Sequence, residues 1–559
     1  MSSDDAVDDG ALAPGVGDDE PAGSDGDHHV FWADAVADEI LARDPDEPIV
    51  IKGGVSPSGI PHLGHFNEIL RGFFVAEVLR ERGHSVEQVF TSDDRDALRA
   101  VPRNLATEDW EIVGLGAVDG GALGRNLGVP YTDVPDPFGE CHDSYAAHFA
   151  GLLRDSAELV GVPVEFESNA GLYDSGRFDD AVDTVLANDD AASVLADYQA
   201  SVTADDVPFM AQCPECGHLT PDVSDPDLDE RTVAFACTGI EAGDDEIDGC
   251  GAEGRVSLRD GKLPWRFEWP AQWTTLGVDF EPFGKDHAEG SWPSGEEITR
   301  TVFEAEPPVP FVYEWFTLDG EPLSSSSGHV ITVSEVMELV GPAVVKYFFL
   351  RNPGRAKDFD VSRLDQLVDE FDRFERLYFG EEDGPDELTA SADRAYPFLV
   401  DEVRPDRVRL PYTFAAVLGM VEDREFRVQM ARDEGHFDDD TPEWAIDAAL
   451  ERVERARRWA ERTDNAYNYR LQRELPAHEF DAATQAALDD LADFVADGND
   501  GEAIQGEVYE AAKRHDVPVG EFFEAGYRLF FDDTQGPRLG EFLGELEREF
   551  VVERLRREG

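Results

Sequence analysis

Between residues 49 and 92 the chain changes its hydrophobic period twice. Ile49, Val50 and Ile51 form a short β-branched run that stops at Gly53 and Gly54, the pattern of a buried strand. Phe66, Ile69, Leu70, Phe73 and Phe74 then recur at the spacing of one helix face, which predicts a helix from Phe66 to Arg82. A second strand is predicted near Val86 to Thr91. Strand, helix, strand in this order is a parallel pair with a crossover helix, and ligands of such sheets sit beyond the carboxyl ends of the strands. Asp34 to Leu41 reads as a short leading helix. Further on, helices are predicted from about Ser144 to Val160 and Phe178 to Asn188, and a strand over Phe311 to Phe316. From Gly341 the pattern is helical: Val344 to Leu350 is strongly apolar, and Leu364, Leu367, Val368, Phe371, Phe374 and Leu377 mark one face.

At 559 residues the chain is long enough for several domains with sizeable cores. Its charge changes the picture of its surroundings. Asp and Glu number 122 against 47 Lys and Arg, a net charge of −75, and only six residues are lysine. Such self-repulsion strains an ordinary fold, but it is screened in molar salt, where the Debye length falls to about 3 Å. The expectation is a halophile's cytoplasmic protein, whose acidity describes its solvent and leaves a nucleic-acid partner open. Met1 to roughly His29, rich in Asp, Gly, Ala and Pro, is expected to be a disordered acidic tail. No signal peptide, membrane-crossing run or internal repeat is legible, and five cysteines, four of them clustered, argue against a disulfide scaffold.

The chemistry begins in the loop after the first strand: Ser56-Pro57-Ser58-Gly59-Ile60-Pro61-His62-Leu63-Gly64-His65. Unpaired N–H groups at a helix start attract phosphate, and Gly59 and Gly64 put no side chain between ligand and backbone. After the second strand, Asp93 and Asp94 either face a cationic substrate or cap a helix. Cys213-Pro214-Glu215-Cys216 is a metal knuckle in form, and Cys237 and Cys250 complete a four-thiolate set, with His218 able to replace one of them; structural Zn2+ is expected. Cys141-His142 alone lacks enough ligands for a metal. Trp265, Trp269 and Trp273 fall four apart, as on one helix face, although Pro270 disfavours a continuous helix. Asp279 to Ser291 carries Gly284-Lys285-Asp286-His287, a glycine, a carboxylate and one of the chain's few lysines after a strand. Asp319 to Gly328 holds Ser324-Ser325-Ser326-Ser327 ahead of a helix capped by Ser334. Arg404, Arg407 and Arg409, and Arg452, Arg455 and Arg458, are basic clusters in an acidic chain: phosphate contacts, or surface ion pairs with the many glutamates.

Several of these stretches together resemble the class I aminoacyl-tRNA synthetases, and in their wording the archaeal and bacterial class I lysyl-tRNA synthetases. His62-Leu63-Gly64-His65 resembles the HIGH signature within Pro-Ser-Gly-x-x-His-Leu-Gly; Val134 to Gly139 with Cys141, His142 and Tyr145, Trp269-Pro270-Ala271-x-Trp273, Phe283 to His287, and Gly536 to Gly540 are similar to lysyl-family stretches. The likeness runs from about Asp46 to Glu545. It implies a Rossmann-like parallel sheet with a zinc-containing insertion, then an all-α C-terminal domain. The implied division is 1–29 tail, 30–137 first catalytic half, 138–261 insertion near the tRNA acceptor end, 262–340 second catalytic half, and 341–559 anticodon-binding helices.

The resemblance further implies transfer of L-lysine to tRNA(Lys) through lysyl-adenylate, with ATP and Mg2+. Pro57, Ser58, Gly59, His62, His65, Gly284, Lys285 and Asp286 would meet ATP; His62, Gly64, His65 and Ser324 to Ser327 would serve catalysis. Ser56, Asp93, Asp94, Trp269, His287, Gly290 and Ser291 would surround the lysine, whose ammonium would pair with Asp93, Asp94 or Asp286. The serine loop departs from the family's Lys-Met-Ser-Ser-Ser-Lys-Gly: Pro322 and Ser327 stand at its lysines and Leu323 at its methionine. Losing a cation against the triphosphate there costs several kcal/mol, on the order of one lost transition-state donor. That departure keeps a catalytically silent tRNA-binding paralogue as an alternative, beside glutamyl or arginyl specificity.

Overall fold

The computed structural model describes residues 29–139, 141–242, 245–323, 328–472 and 474–558. The expected acidic tail and the four serines 324–327 lie outside the described residues.

The first strand is Ile49–Val55 and the second Val86–Ser92, paired in parallel and in step from Ile49↔Val86 to Val55↔Ser92. The crossover helix between them is Leu63–Glu81, and Phe66, Ile69, Leu70, Phe73 and Phe74 are all buried. The leading helix spans Trp32–Leu41. A third parallel strand, Glu165–Ser168, joins the edge beside Val86–Ser92. Its four residues carry two glutamates, a form that protects an edge and hides the strand from a hydrophobicity pattern. On the other side Val278–Gly284 pairs with the first strand and Val309–Tyr313 follows it. In chain order the sheet therefore runs fifth, fourth, first, second, third, all parallel. The order reverses between the first and fourth strands, and such a switch point opens a crevice at the strand ends.

The strand expected over Phe311 to Phe316 is two strands. Val309–Tyr313 belongs to the main sheet, whereas Phe316–Leu318 lies between Glu321–Pro322 and Lys357–Phe359 in a small sheet. The helix after the serine loop is Val333–Leu339, and its cap is Thr332 rather than Ser334: Thr332 Oγ1 accepts from the Glu335 N–H at 3.1 Å while the Glu335 carboxylate accepts from the Thr332 N–H at 2.9 Å. Pro270 does not break its helix. Trp265–Leu276 is continuous, and the proline removes one backbone bond near its start.

The insertion combines the helix Tyr145–Val160, shorter helices, and antiparallel ribbons such as Val223–Asp227, Thr232–Ala236 and Glu253–Ser257. Met210–Gln212, which runs into Cys213, pairs with Gly261–Lys262 at the exit. The chain divides into two compact units, and the boundary is not the one expected at residue 341. Pro342–Asp360 and Asp383–Asp401 belong with the unit that holds the five-stranded sheet. The apolar helix Pro342–Leu350 explains this, because the Phe349 carbonyl accepts from buried Arg71 of the crossover helix. The other unit is helical, with Leu364–Tyr378, Glu443–Thr463, Gly501–Arg514 and Val519–Phe531 among its elements and Leu488, Leu491, Val508, Leu529 and Phe530 in one buried cluster. Leu364, Leu367, Val368, Phe371, Phe374 and Leu377 are buried as their spacing predicted. Among the described residues no helix is long and apolar enough to cross a membrane.

Candidate active site

The crossover helix starts three residues before the expected Phe66, because two histidines cap it. His62 Nδ1 accepts from the Gly64 N–H at 3.0 Å, and His65 Nδ1 accepts from the His62 N–H at 3.2 Å. The rings stack with centroids 4.1 Å apart. Gly64 is required there: a Cβ would lie 2.6 Å from the His62 ring. Burial pushes His65 down to about 4, and burial with the neighbouring His65 lowers His62 as well. Both imidazoles are therefore neutral near pH 7. Because each Nδ1 accepts, each Nε2 carries the proton and is a donor. The pair stabilises the helix start and supplies two N–H donors beside its positive end. His65 lines a cleft with Val55, Ser56, Pro57, Gly59, Phe149 and Leu153. Tyr145 OH donates to the Ser58 carbonyl at 3.1 Å, tying the loop to the insertion.

At the switch point stands a residue that the sequence reading missed, Glu68. One carboxylate oxygen accepts from the Gly54 N–H at 2.8 Å, and the other is 3.4 Å from the Tyr313 hydroxyl. Burial, with repulsion from Glu281, pushes the carboxyl up to about 8. Gly53 leaves room for it, since a Cβ there would lie 2.9 Å from Oε1. Beneath, Lys52 donates to Glu281 at 2.9 Å, both side chains fully buried, and the indole N–H groups of Trp269 (2.8 Å) and Trp273 reach the same carboxylate. A charged residue inside each of two adjacent central strands was the available signal, read as composition and not as a pair.

The 284–291 segment folds as expected around its glycine. Asp286 turns back over Gly284, where a Cβ would meet its carboxylate at 2.6 Å. His287 Nδ1 lies 2.8 Å from Ser291 Oγ, and Arg266 donates to the Gly290 carbonyl at 3.0 Å. Lys285 is not a free phosphate donor: it pairs with Glu314 at 3.0 Å. Trp269 is buried, while half-buried Trp265 stacks on it at 5.4 Å and carries the accessible part of the aromatic wall, with His287 5.4 Å from Trp269.

Asp93 and Asp94 are held by other segments of the chain. Asp93 accepts from Gln272 Nε2 at 2.8 Å and Asp94 from the Ala170 N–H at 2.8 Å, and both are buried. Burial, with repulsion from Asp96, pushes Asp93 up to about 7. Arg95 donates to Asp174 at 2.8 Å and to the Arg259 carbonyl, and Asp96 accepts from Ser56 Oγ at 2.8 Å. The turn is a hub: Asp93 holds Gln272, Asp94 and Arg95 both hold the short helix Asn169–Asp174, and Asp96 holds Ser56. Asp286, the remaining ammonium candidate, is exposed.

The four cysteines converge. Sγ atoms of Cys213, Cys216, Cys237 and Cys250 all lie within 4.8 Å of one another, with Cys213–Cys250 at 3.6 Å and Cys216–Cys237 at 3.5 Å. A tetrahedron with metal–sulfur bonds of about 2.3 Å has edges of about 3.8 Å, so the set fits zinc. His218 is not part of that cluster. Cys141-His142, expected to lack partners, has them in part: His142 Nδ1 and His148 Nδ1 lie 3.6 and 3.7 Å from the buried Asp136 carboxylate and 3.3 Å from each other. His148 Nε2 donates to the Ala106 carbonyl at 2.8 Å, which turns a lone pair on Nδ1 toward the carboxylate. These lone pairs facing one another fit a cation.

Most of the clustered arginines are ion-paired. Arg452 is buried and grips Asp372 at 2.6 and 2.7 Å. Arg409 pairs with Glu375 and Glu381, Arg407 with Glu375, Arg404 with Glu402 and Arg455 with Glu451. With 122 acids to 47 bases, a carboxylate is within reach of most guanidinium groups. Arg458 is exposed.

A family model described as tRNA synthetases class I (K) matches residues 30–398. The lysine–tRNA ligase of Haloarcula marismortui is 65% identical over 529 residues, covering 94% of this chain and 97% of that protein. That of Natronomonas pharaonis is 64% identical over 538 residues, covering 96% and 98%, and that of Pyrococcus furiosus is 33% identical over 555 residues, covering 95% and 100%. By sequence, from the histidine-capped loop through the helical end, the chain belongs to the class I tRNA synthetases of the lysine (K) type.

Proposed function

We propose that this chain attaches L-lysine to tRNA(Lys) using ATP, in two steps. The lysine carboxylate attacks the α-phosphate, giving lysyl-adenylate and pyrophosphate, and the acyl group then passes to the terminal adenosine of the tRNA. The observation that carries the reading is the reciprocal histidine cap, which leaves two neutral N–H donors at a helix N-terminus, His65 lining the cleft beside it. Those donors stabilise charge developing at the phosphate. Gly284 and Asp286 suit the ribose, and ATP arrives as its Mg2+ complex. Ser324 to Ser327 would close over the triphosphate.

Glu68 replaces Asp93, Asp94 and Asp286 as the partner of the lysine ammonium. It is half-buried, sits at the switch point, and meets two donors but no cation within bonding distance among the described residues. Burying an ammonium without a carboxylate is costly. The same carboxylate repels glutamate, which disfavours glutamyl specificity. Ser56, Trp265, His287, Gly290 and Ser291 would complete the amino-acid site. Cys213, Cys216, Cys237 and Cys250 would hold a structural Zn2+, and Asp136, His142 and His148 a second transition-metal ion; each braces the insertion. Exposed Arg458 is the remaining phosphate-contact candidate of its cluster, and the cytoplasm of a halophile remains the expected setting.

The test is charging of total tRNA in molar KCl with lysine, glutamate and arginine in parallel, and pyrophosphate exchange with and without tRNA. Lysine alone is expected to be charged. Bound tRNA without charging of any amino acid would overturn the reading in favour of the silent paralogue.

A further inference from the structure

Ser56 lines the cleft, yet the residues that fix its hydroxyl come from far along the chain. Its Oγ is 2.8 Å from Asp96 Oδ2, and the other oxygen of Asp96 is gripped by Lys262 Nζ. Lys262 is 2% exposed. Its ammonium also reaches Glu268 at 2.6 Å, whose other oxygen accepts from the Tyr173 hydroxyl at 2.7 Å, and that hydroxyl accepts in turn from the Leu263 N–H at 2.8 Å. The backbone of Lys262 is held too, since Gly261–Lys262 pairs with Met210 and Ala211, just before Cys213.

One buried ammonium thus stands between two carboxylates. Lys262 holds Asp96 below its usual range, while burial raises Glu268. An ionised Asp96 can only accept. The Ser56 hydroxyl must therefore give its proton to Asp96, and both of its lone pairs are left for the cleft. Neutralising Asp96, or letting it swing away, frees the hydroxyl to rotate and to present a hydrogen instead.

We propose that Lys262 and Asp96 are positioning residues for aminoacylation: together they lock the Ser56 hydroxyl as a pure acceptor toward an ammonium group of the bound amino acid. The proposal rests on the reading above that Ser56 faces the amino acid. It also gives the insertion a second task, because the strand that leads into the cysteine cluster sets where Lys262 stands.

The test uses the full-length protein in molar KCl and lysine-dependent pyrophosphate exchange, with tRNA present. Asp96→Asn keeps the volume but donates toward Ser56, and Lys262→Met removes the ammonium while keeping the stem. Each is expected to raise KM for lysine about tenfold or more, the effect of one charge-assisted hydrogen bond, and to move KM for ATP less than about twofold. Lys262→Arg is expected to restore most of the loss. Ser56→Ala is expected to match the single variants and to add nothing in either background. Equal rises in both KM values, or a full additional loss from Ser56→Ala, would overturn the proposal. So would variants whose loss tracks only a lowered folded fraction by thermal melting; Ser56→Ala, which disturbs no buried charge, keeps the comparison available if the others fold poorly. Wild-type protein with no lysine-dependent exchange would instead refute the functional reading itself.

Discussion

Glu68→Gln separates recognition from stability at a single atom. The side chain is half-buried, and desolvation with repulsion from Glu281 pushes its carboxyl up to about 8, against 4.5 as the ordinary value. In the ligand-free protein at pH 7 it is mostly protonated, and a lysine ammonium needs it ionised. Below about pH 8, each unit fall in pH therefore lowers lysine affinity about tenfold. Above pH 8 the affinity levels off, until the substrate's own ammonium titrates. Removing one partner of a buried ion pair costs about 3–5 kcal/mol, so Glu68→Gln is expected to raise KM for lysine by roughly two to four orders of magnitude. It should also flatten the pH dependence of kcat/KM for lysine. The sign for stability is opposite. A carboxyl whose folded pKa lies above its unfolded value binds a proton on folding, so its contribution is full below about pH 4.5 and falls as pH rises toward 8. The glutamine variant should melt at a higher temperature than wild type at pH 8, and the two should converge near pH 4. The assay is pyrophosphate exchange at varied lysine from pH 6 to 9, with thermal melts at the same pH values in molar KCl. A variant that keeps its lysine KM, or a wild-type kcat/KM that is flat from pH 6 to 8, would refute the assignment.

Cys213→Ser should remove one zinc equivalent by elemental analysis and lower the melting temperature, and zinc content equal to wild type would end the tetrathiolate assignment. His148→Ala should remove a separate equivalent while leaving the cysteine site loaded; unchanged total metal would show that Asp136, His142 and His148 hold none. His62→Ala loses both the backbone cap and one Nε2–H donor, and exchange activity should fall by about two orders of magnitude, with roughly 1 kcal/mol of stability; full activity would contradict the role of the loop. Arg452→Leu leaves Asp372 buried and unpaired and should destabilise by about 3–5 kcal/mol in denaturant melts. Arg458→Gln should instead weaken tRNA binding and leave the melt unchanged, and the reverse pattern would return Arg452 to the tRNA surface.

The sequence by itself determined the parts whose signal is local. Apolar period located Ile49–Val55, the crossover helix and the Leu364–Tyr378 helix, because a strand or helix face buries residues at fixed spacing along the chain. Cysteine spacing marked the tetrathiolate set before its atoms were placed, and the wording of the histidine loop carried the family. Tertiary structure alone decided which charges meet. Lys52 and Glu281 are 229 residues apart, Ser56 and Asp96 are 40 apart, and Lys262 and Asp96 are 166 apart. A parallel sheet with a switch point brings strands distant in sequence side by side, and no local pattern records that pairing. For the same reason the partners of Asp93 and Asp94, Gln272 and the Ala170 N–H, come from segments far along the chain. Glu68, an unremarked residue one turn inside a helix, became the half-buried carboxylate at the crevice, because desolvation raises the energy of a charge only once the neighbouring strands have excluded water.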